Sequence, residues 1–348
     1  MQRNEWKIKG RLLKDKLQEY CNEKEFNFKI VEWPYWTAEI YGFGKQISKY
    51  GYYPYILPLC VYTDHGPGYY DELPKHELET NAPYILYHSK KSVELWSDLN
   101  SKKAHCMLSP FVFYRKKQKI ERKQDAKGTI VFPAHSTPSI DDISGYNKYI
   151  DDLKKLGVEY LPIKICMHMH DINKGLHKKF TDAGFEVVTA GNTSSQNYIE
   201  KFYQIIVDFK YATSNIPGSY LYYCVDIGIP FFIYGEKPIY LNISDPNLSM
   251  GLYDPWGRGY GLEAYRMFNV DDTDGYKPRI SHRQLVFVNE HLGVESGISR
   301  TKMCVILYTA LFKFMLTRYG FIFLIRKNIF ATWYVRLRSL IYGNGKWW

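Results

Sequence analysis

TIVFPAHS (129–136), YLPIKICMHMHD (160–171), FEVVTAGN (185–192), KYATSN (210–215) and PFFIYG (230–235) are five short apolar runs whose spacing decides the fold. Each is rich in Val, Ile, Phe or Tyr and breaks off at small or polar residues, the pattern of a short buried strand. The stretches between them have helical spacing, with helices expected to begin near Ile140, Asn173, Gln196 and Gly218. Alternation of strand and helix builds a parallel sheet covered on both faces.

The same alternation runs, less cleanly, through the first half. FNFKIVEW (26–33), YPYILPLCVY (53–62), PYILYHS (83–89) and AHCMLSPFVFY (104–114) read as strands, with WTAEIYGFGKQISKY (36–50) and KSVELWSDL (91–99) as helices between them. RKKQKIERKQDAKG (115–128) is polar, charged and poor in apolar anchors, so it reads as a domain linker. One exposed helix inside a single domain is the other reading. The expectation is an α/β protein of two Rossmann-like domains facing a central cleft, residues 1–120 and 121–295. A tail of amphipathic, membrane-associating helices follows from 296 to 348.

A chain of 348 residues has room for two such cores. Its six cysteines are scattered, with no C-x-x-C pair, which suits reduced core thiols in the cytoplasm. The first twenty residues lack an apolar h-region and read as a charged amphipathic helix, not a signal peptide. Aromatic residues make up 17%, and rings with a polar tip favour half-wet surfaces. The net charge is +10, and the segment from Arg300 to Trp348 carries nine of those charges with no Asp or Glu. The rest of the chain is close to neutral.

In open α/β sheets a ligand sits outside the carboxyl ends of the strands. In the second half those ends carry His135, Ser136 and Thr137; His168 and His170; Gly191–Ser194; and Thr213, Ser214, Asn215, Gly218 and Ser219. Ser219 stands where a helix begins, and the unpaired N–H groups and positive dipole there suit a phosphate. Helix capping accounts for any one of these residues taken singly. The set favours a phosphate-bearing ligand. Strand alternation would place His168 and His170 on one side, which admits a metal, but spacing fixes no third ligand. Donation of ring N–H to phosphate is the better use, and no metal is expected.

The distinctive feature of the first half is Thr63–Asp64–His65–Gly66–Pro67–Gly68, directly after a predicted strand. Asp64 is the candidate general base, with His65 supporting it. An Asx turn is the competing explanation. Asp271–Asp272–Thr273–Asp274–Gly275 contains D-x-D but reads as a solvated loop.

MCVILYTALFKFMLTRYGFIFLI (303–325) approaches bilayer-spanning length, but Lys313 and Arg318 interrupt it. On a helix Lys302, Thr309, Lys313, Gly320, Lys327 and Arg338 share one side, which describes a helix lying in the interface of an anionic leaflet. Trp333, Trp347 and Trp348 would sit at headgroup level. Basic residues interleaved with Phe, Leu and Ile, and no basic patch elsewhere, argue against nucleic acid as a partner.

Taken together, these features resemble the GT-B-fold glycosyltransferases of bacterial capsule and lipopolysaccharide synthesis, especially the group of polysialyl-, Kdo- and polyol-phosphate transferases. The resemblance rests on Asp64–His65–Gly66, on His168 or His170, and on Thr213–Ser214 followed by Gly228–Ile229–Pro230–Phe231, and it covers about residues 26–292. ATSNIPGSYLYYCVDIGIPFFIYG (212–235) is its most specific stretch. Here Met or Asp follows the histidine where that group has Pro, and a Glu-rich ribose motif is missing. The resemblance implies an acceptor domain followed by a nucleotide-sugar donor domain. It implies transfer of a sugar to a lipid-linked saccharide, inverting and without metal, by a peripheral protein on the cytoplasmic face of the inner membrane. Polyol-phosphate transfer, sugar-nucleotide epimerisation and a non-catalytic membrane-bound scaffold are the competing functions.

Overall fold

The computed structural model describes residues 16–22, 28–30, 34–67, 73, 75–245, 250–254, 259–317 and 320. Three parallel strands form the first sheet in the order β1 (Tyr62–Thr63), β2 (Ile85–Tyr87), β3 (Ala104–Cys106). Helices Phe43–Tyr50, Lys75–Leu78, Lys90–Leu99 and Pro110–Gln118 surround it. Ser89 caps the third of these, its hydroxyl accepting from Ser92 N–H at 3.4 Å. Pro110 opens the fourth, where a missing N–H costs nothing.

The first half is less strand-rich than its sequence predicts. Of Tyr53–Tyr62 only Tyr62 enters β1, because Pro54 and Pro58 have no N–H to give a ladder. Residues 104–114 divide between β3 and a helix. Residues 28–30 are not strand, and the rest of FNFKIVEW lies outside the described residues.

The second sheet has five parallel strands: β4 (Thr129–Val131), β6 (Ile163–Cys166), β7 (Glu186–Val188), β8 (Tyr211–Ser214) and β9 (Phe231–Ile233). Their order is β7-β6-β4-β8-β9, and all four pairings are parallel. Counted within this sheet the order is 3-2-1-4-5, a doubly wound arrangement. A separate antiparallel sheet joins β5 (Ile140–Asp142), β10 (Tyr240–Asn242) and β11 (Gly251–Tyr253). Ile140, the expected helix start, is therefore a strand residue paired with Asn242, and the helix follows at Asn147–Lys154.

The two sheets are joined by a continuous apolar core that takes in Phe43, Ile47, Phe111, Phe132, Phe202, Tyr223 and Phe231. Burying each such side chain contributes roughly 1.5–3 kcal/mol. The expected linker is partly structural. Arg115 lies in the helix Pro110–Gln118 and forks onto Asp226, Nε to Oδ2 at 2.5 Å and Nη2 to Oδ1 at 2.9 Å.

The tail predicted from 296 begins differently from expectation. Arg300–Met315 is a helix whose Met303, Ile306, Leu307, Ala310 and Phe314 are buried in the same core. Arg300 donates to the carbonyls of Tyr50 and Lys49, each at 2.9 Å, so the helix is fastened to the first unit. Residues 318, 319 and 321–348, with the three anchoring tryptophans, lie outside the described residues. Among the described residues no helix is long and apolar enough to cross a membrane.

Candidate functional site

Asp64 follows β1 and the neighbouring strand β2 ends just before His88, so the parallel register brings the two side chains together. His88 Nδ1–H donates to Asp64 Oδ1, and the His88 backbone N–H donates to Oδ2 at 3.3 Å. Both carboxylate oxygens are thus held by one residue, and both residues are buried. His88 Nε2 is buried and has no partner among the described residues. His88, which the sequence reading did not single out, is the residue that holds the Asp64 carboxylate. His65 is exposed and stands edge-on to the Trp36 ring, centroids 5.4 Å apart. The signal for His88 was its place at the end of PYILYHS, the same kind of position that singled out Asp64. Gly68, the last residue of the quoted turn, is outside the described residues.

Near Asp64 lies a second buried carboxyl. Glu77 accepts from Tyr62 Oη at 2.6 Å and from Tyr87 Oη at 3.1 Å. Burial, reinforced by the charge of Asp64 and opposed by the two phenols, pushes its carboxyl up to about 7. The folded state therefore binds a proton that the unfolded chain, with an ordinary carboxyl, releases. Stability from this group is fully present below about pH 4.5 and is lost as pH rises through about 7. Glu77→Gln is thus expected to shift the melting temperature upward more at pH 8 than at pH 5, relative to wild type. Melting curves at the two values check this; an equal shift at both would place the carboxyl in its ordinary range.

In the second sheet the strand order reverses direction between β4 and β8, and the crevice opens outside their carboxyl ends. Several residues predicted to face a ligand instead build its floor. Thr213 donates to Phe232 O at 2.8 Å, and Ser214 Oγ lies 2.8 Å from Tyr220 Oη. Asn215 bridges the two loops, its Oδ1 accepting from Ala134 N–H at 2.9 Å while Nδ2 donates to Glu236 O at 2.9 Å. All three are buried, and their side chains are engaged in holding the loops. Ser136 gives both its N–H (3.0 Å) and its hydroxyl (2.6 Å) to buried Asp171, and Thr137 Oγ1 accepts from Ser139 and Ile140 N–H.

The histidines remain. Rings of His135 and His168 stack at 4.3 Å, and those of His168 and His170 lie 4.8 Å apart. The alternation expected to align His168 with His170 does not hold, because β6 ends at Cys166 and His168 caps the helix Met169–Asn173. His135 Nδ1 faces Ser136 O at 2.9 Å, and a carbonyl only accepts, so the proton is on Nδ1. His168 Nδ1 accepts from His170 N–H at 3.3 Å, which places its proton on Nε2. That Nε2 is buried with no partner among the described residues. Burial, with the other two histidines adding repulsion, holds His168 well below the usual imidazole range. Burial, then His135 and Lys174, lowers His170 to about 4. His168 and His170 are thus held neutral, and among the described residues His168 supplies a buried N–H donor with no partner. Among the described residues no group of three His, Cys, Asp or Glu is placed to hold a metal ion.

Gly218 precedes the helix Ser219–Asp226 in an extended conformation, and a methyl group on it would lie 2.3 Å from Tyr220 Cζ. Only glycine allows that close passage. The two halves of the site meet here. A methyl group on Gly66, two residues after Asp64, would lie 2.7 Å from Ser219 Oγ and 3.8 Å from Tyr223 Oη. Beside the crevice is a cavity of about 270 Å³ lined by Ile216, Lys237, Pro238, Ile239, Tyr240, Leu252 and Asp254. Tyr240 Oη donates to His135 O at 3.4 Å, tying the cavity wall to the histidine cluster. Asp272 accepts from Asp274 N–H at 2.9 Å in an exposed turn, as read from the sequence.

No protein-family description and no curated protein matches the chain. Several solved structures resemble it, two of them as follows. One is a UDP-GlcNAc 2-epimerase from Neisseria meningitidis bound to UDP-GlcNAc, at 11% identity and TM-score 0.35, covering 67% of this chain and 62% of that one. The other is the wall teichoic acid polymerase TagF, at 12% identity and TM-score 0.33, covering 65% and 58%. The chain thus spans about three-fifths of the length of each. Likenesses this slight carry no argument about activity.

Proposed function

We propose that this chain is a GT-B-type glycosyltransferase that moves a sugar from a nucleotide-sugar donor to a lipid-linked saccharide in bacterial surface polysaccharide synthesis. The observation that supports it most is the approach of the Asp64 loop to the start of the Ser219–Asp226 helix. A fixed carboxylate on one side then faces a phosphate-binding helix end on the other.

In this reading Asp64 takes the proton of the acceptor hydroxyl as its oxygen attacks the anomeric carbon. The bond from that carbon to the nucleotide phosphate breaks in the same displacement, so the configuration inverts. Charge on the leaving phosphate is met by the N–H groups at the helix start and by the orphaned Nε2–H of His168. His88 orients Asp64 by donating to both carboxylate oxygens, each of which keeps a second lone pair for the acceptor proton. The cavity at Ile216 and Tyr240 takes the nucleoside, with Lys237 and Asp254 as its polar groups. The reaction assigns no step to a metal.

The test is an assay with labelled nucleotide sugars and a membrane extract as the source of acceptor. Label passing into the lipid fraction with release of free nucleotide is the expected result. Conversion of nucleotide sugar without any acceptor would establish epimerisation instead, and no consumption of any nucleotide sugar would favour a non-catalytic protein.

A further inference from the structure

The helix Arg300–Met315 buries one face in the core and leaves the other uncovered. On that outer face Val305, Tyr308, Phe312 and Leu316 fall within one stripe at about 100° per residue. Phe312 is 65% exposed and Leu316 73%, which is unusual for large apolar side chains on a packed helix. The stripe continues onto the preceding unit. Tyr308 meets Tyr53 edge-on at 5.0 Å, and beside it Tyr52 (62% exposed) and Ile56 also face outward.

Cations border this patch. Arg300 lies over the Tyr52 ring at 3.9 Å and Lys313 over Tyr84 at 4.7 Å. Lys302 is exposed on the same side as Lys313. The sequence continues from this helix to Trp348 with further Lys and Arg and without a single Asp or Glu. Apolar side chains at the centre, tyrosines around them and cations at the rim match the layers of an anionic bilayer surface: acyl boundary, interface and headgroup phosphate. The patch is also close to the candidate site. Phe314, on the buried side, packs on Tyr35 at 5.1 Å, and the next residue, Trp36, packs on His65.

We propose that this face of the first unit docks on an anionic membrane surface, inserting Phe312 and Leu316 and setting the Asp64 loop beside the lipid. The sequence expectation had a helix lying in the interface with one undivided apolar side opposite its basic stripe; here the core takes one apolar face and a second faces outward. The docking does not depend on the transfer reaction.

Sedimentation of the full chain with phosphatidylglycerol–phosphatidylcholine vesicles tests it, using Phe312→Glu/Leu316→Glu and the conservative Phe312→Leu. The double variant is expected to bind at least about tenfold more weakly, since each inserted side chain supplies roughly that factor or more. Phe312→Leu is expected to bind nearly as wild type, and both are expected to melt within a few degrees of it. Undiminished binding by a folded double variant overturns the proposal. So does a wild-type dimer in solution that the double substitution converts to monomer with vesicle binding unchanged, because a second copy would then cover the face. Should the double variant fail to fold, Phe312→Glu alone is read in the same way.

Discussion

Asp64→Asn is expected to lower turnover by roughly a hundredfold or more while leaving nucleotide affinity unchanged. The substitution keeps shape but removes the proton acceptor, and the phosphate contacts lie on the other unit. The surroundings of Asp64 make this a clean test. His88 donates to both carboxylate oxygens, so an Asn keeps the bond from the His88 backbone N–H through its own oxygen, while its NH2 group donates to His88 Nδ1 once the ring proton moves to Nε2; the side chain stays in place and its basicity is lost. A turn-forming Asp64 would give a different result: a lower melting temperature with ordinary turnover in the folded fraction. Measuring kcat, nucleotide affinity and melting on one preparation separates the two. Normal turnover would remove Asp64 from the chemistry.

Arg115→Ala is expected to have the largest effect on stability. Asp226 is 5% exposed at its side chain, and its burial already pushes the carboxyl up, with Arg115 opposing. Removing Arg115 strands a buried charge, which costs about 3–5 kcal/mol. For a chain of this size the melting temperature falls by roughly 5–10 °C. The deficit shrinks at acid pH, where Asp226 in the variant takes up a proton. Arg115→Met with Asp226→Leu is expected to recover much of the loss, since no unpaired charge remains. A single variant as stable as wild type would mean that the pair does not bolt the two units together.

These two residues also show what can be read from sequence. The five strands of the second sheet all fall inside the apolar runs at 129–136, 160–171, 185–192, 210–215 and 230–235. Strands buried on both faces are continuously apolar, so they stand out. The antiparallel strands β5, β10 and β11 leave no signal in the sequence because IDD, YLN and GLY are three residues each, too short to show a period. Arg115 was assigned to a linker because its charge is conspicuous and its partner is 111 residues away. His88 was passed over for the same reason: its relation to Asp64 depends on strand pairing, while His65 is adjacent in the chain. At the second sheet the sequence located the ring of strand ends but not the division of labour within it. Whether a hydroxyl such as that of Ser214 faces outward or is spent on Tyr220 depends on one rotamer and on a neighbour several residues away. The helix Arg300–Met315 is apolar on both sides, so periodicity could not say which side the core would take.

The central claim is that a nucleotide binds at the crevice of the second sheet, and calorimetric titration tests it most directly. UDP, CDP, GDP and CMP would be titrated into wild type, Asp64→Asn and His168→Ala. One nucleotide is expected to bind saturably to wild type and equally to Asp64→Asn. His168→Ala, which has no side-chain donor, is expected to weaken it about tenfold or more, the scale of one hydrogen bond to a charged group. No heat from any of the four with the folded protein, or equal affinity in a folded His168→Ala, would contradict the account.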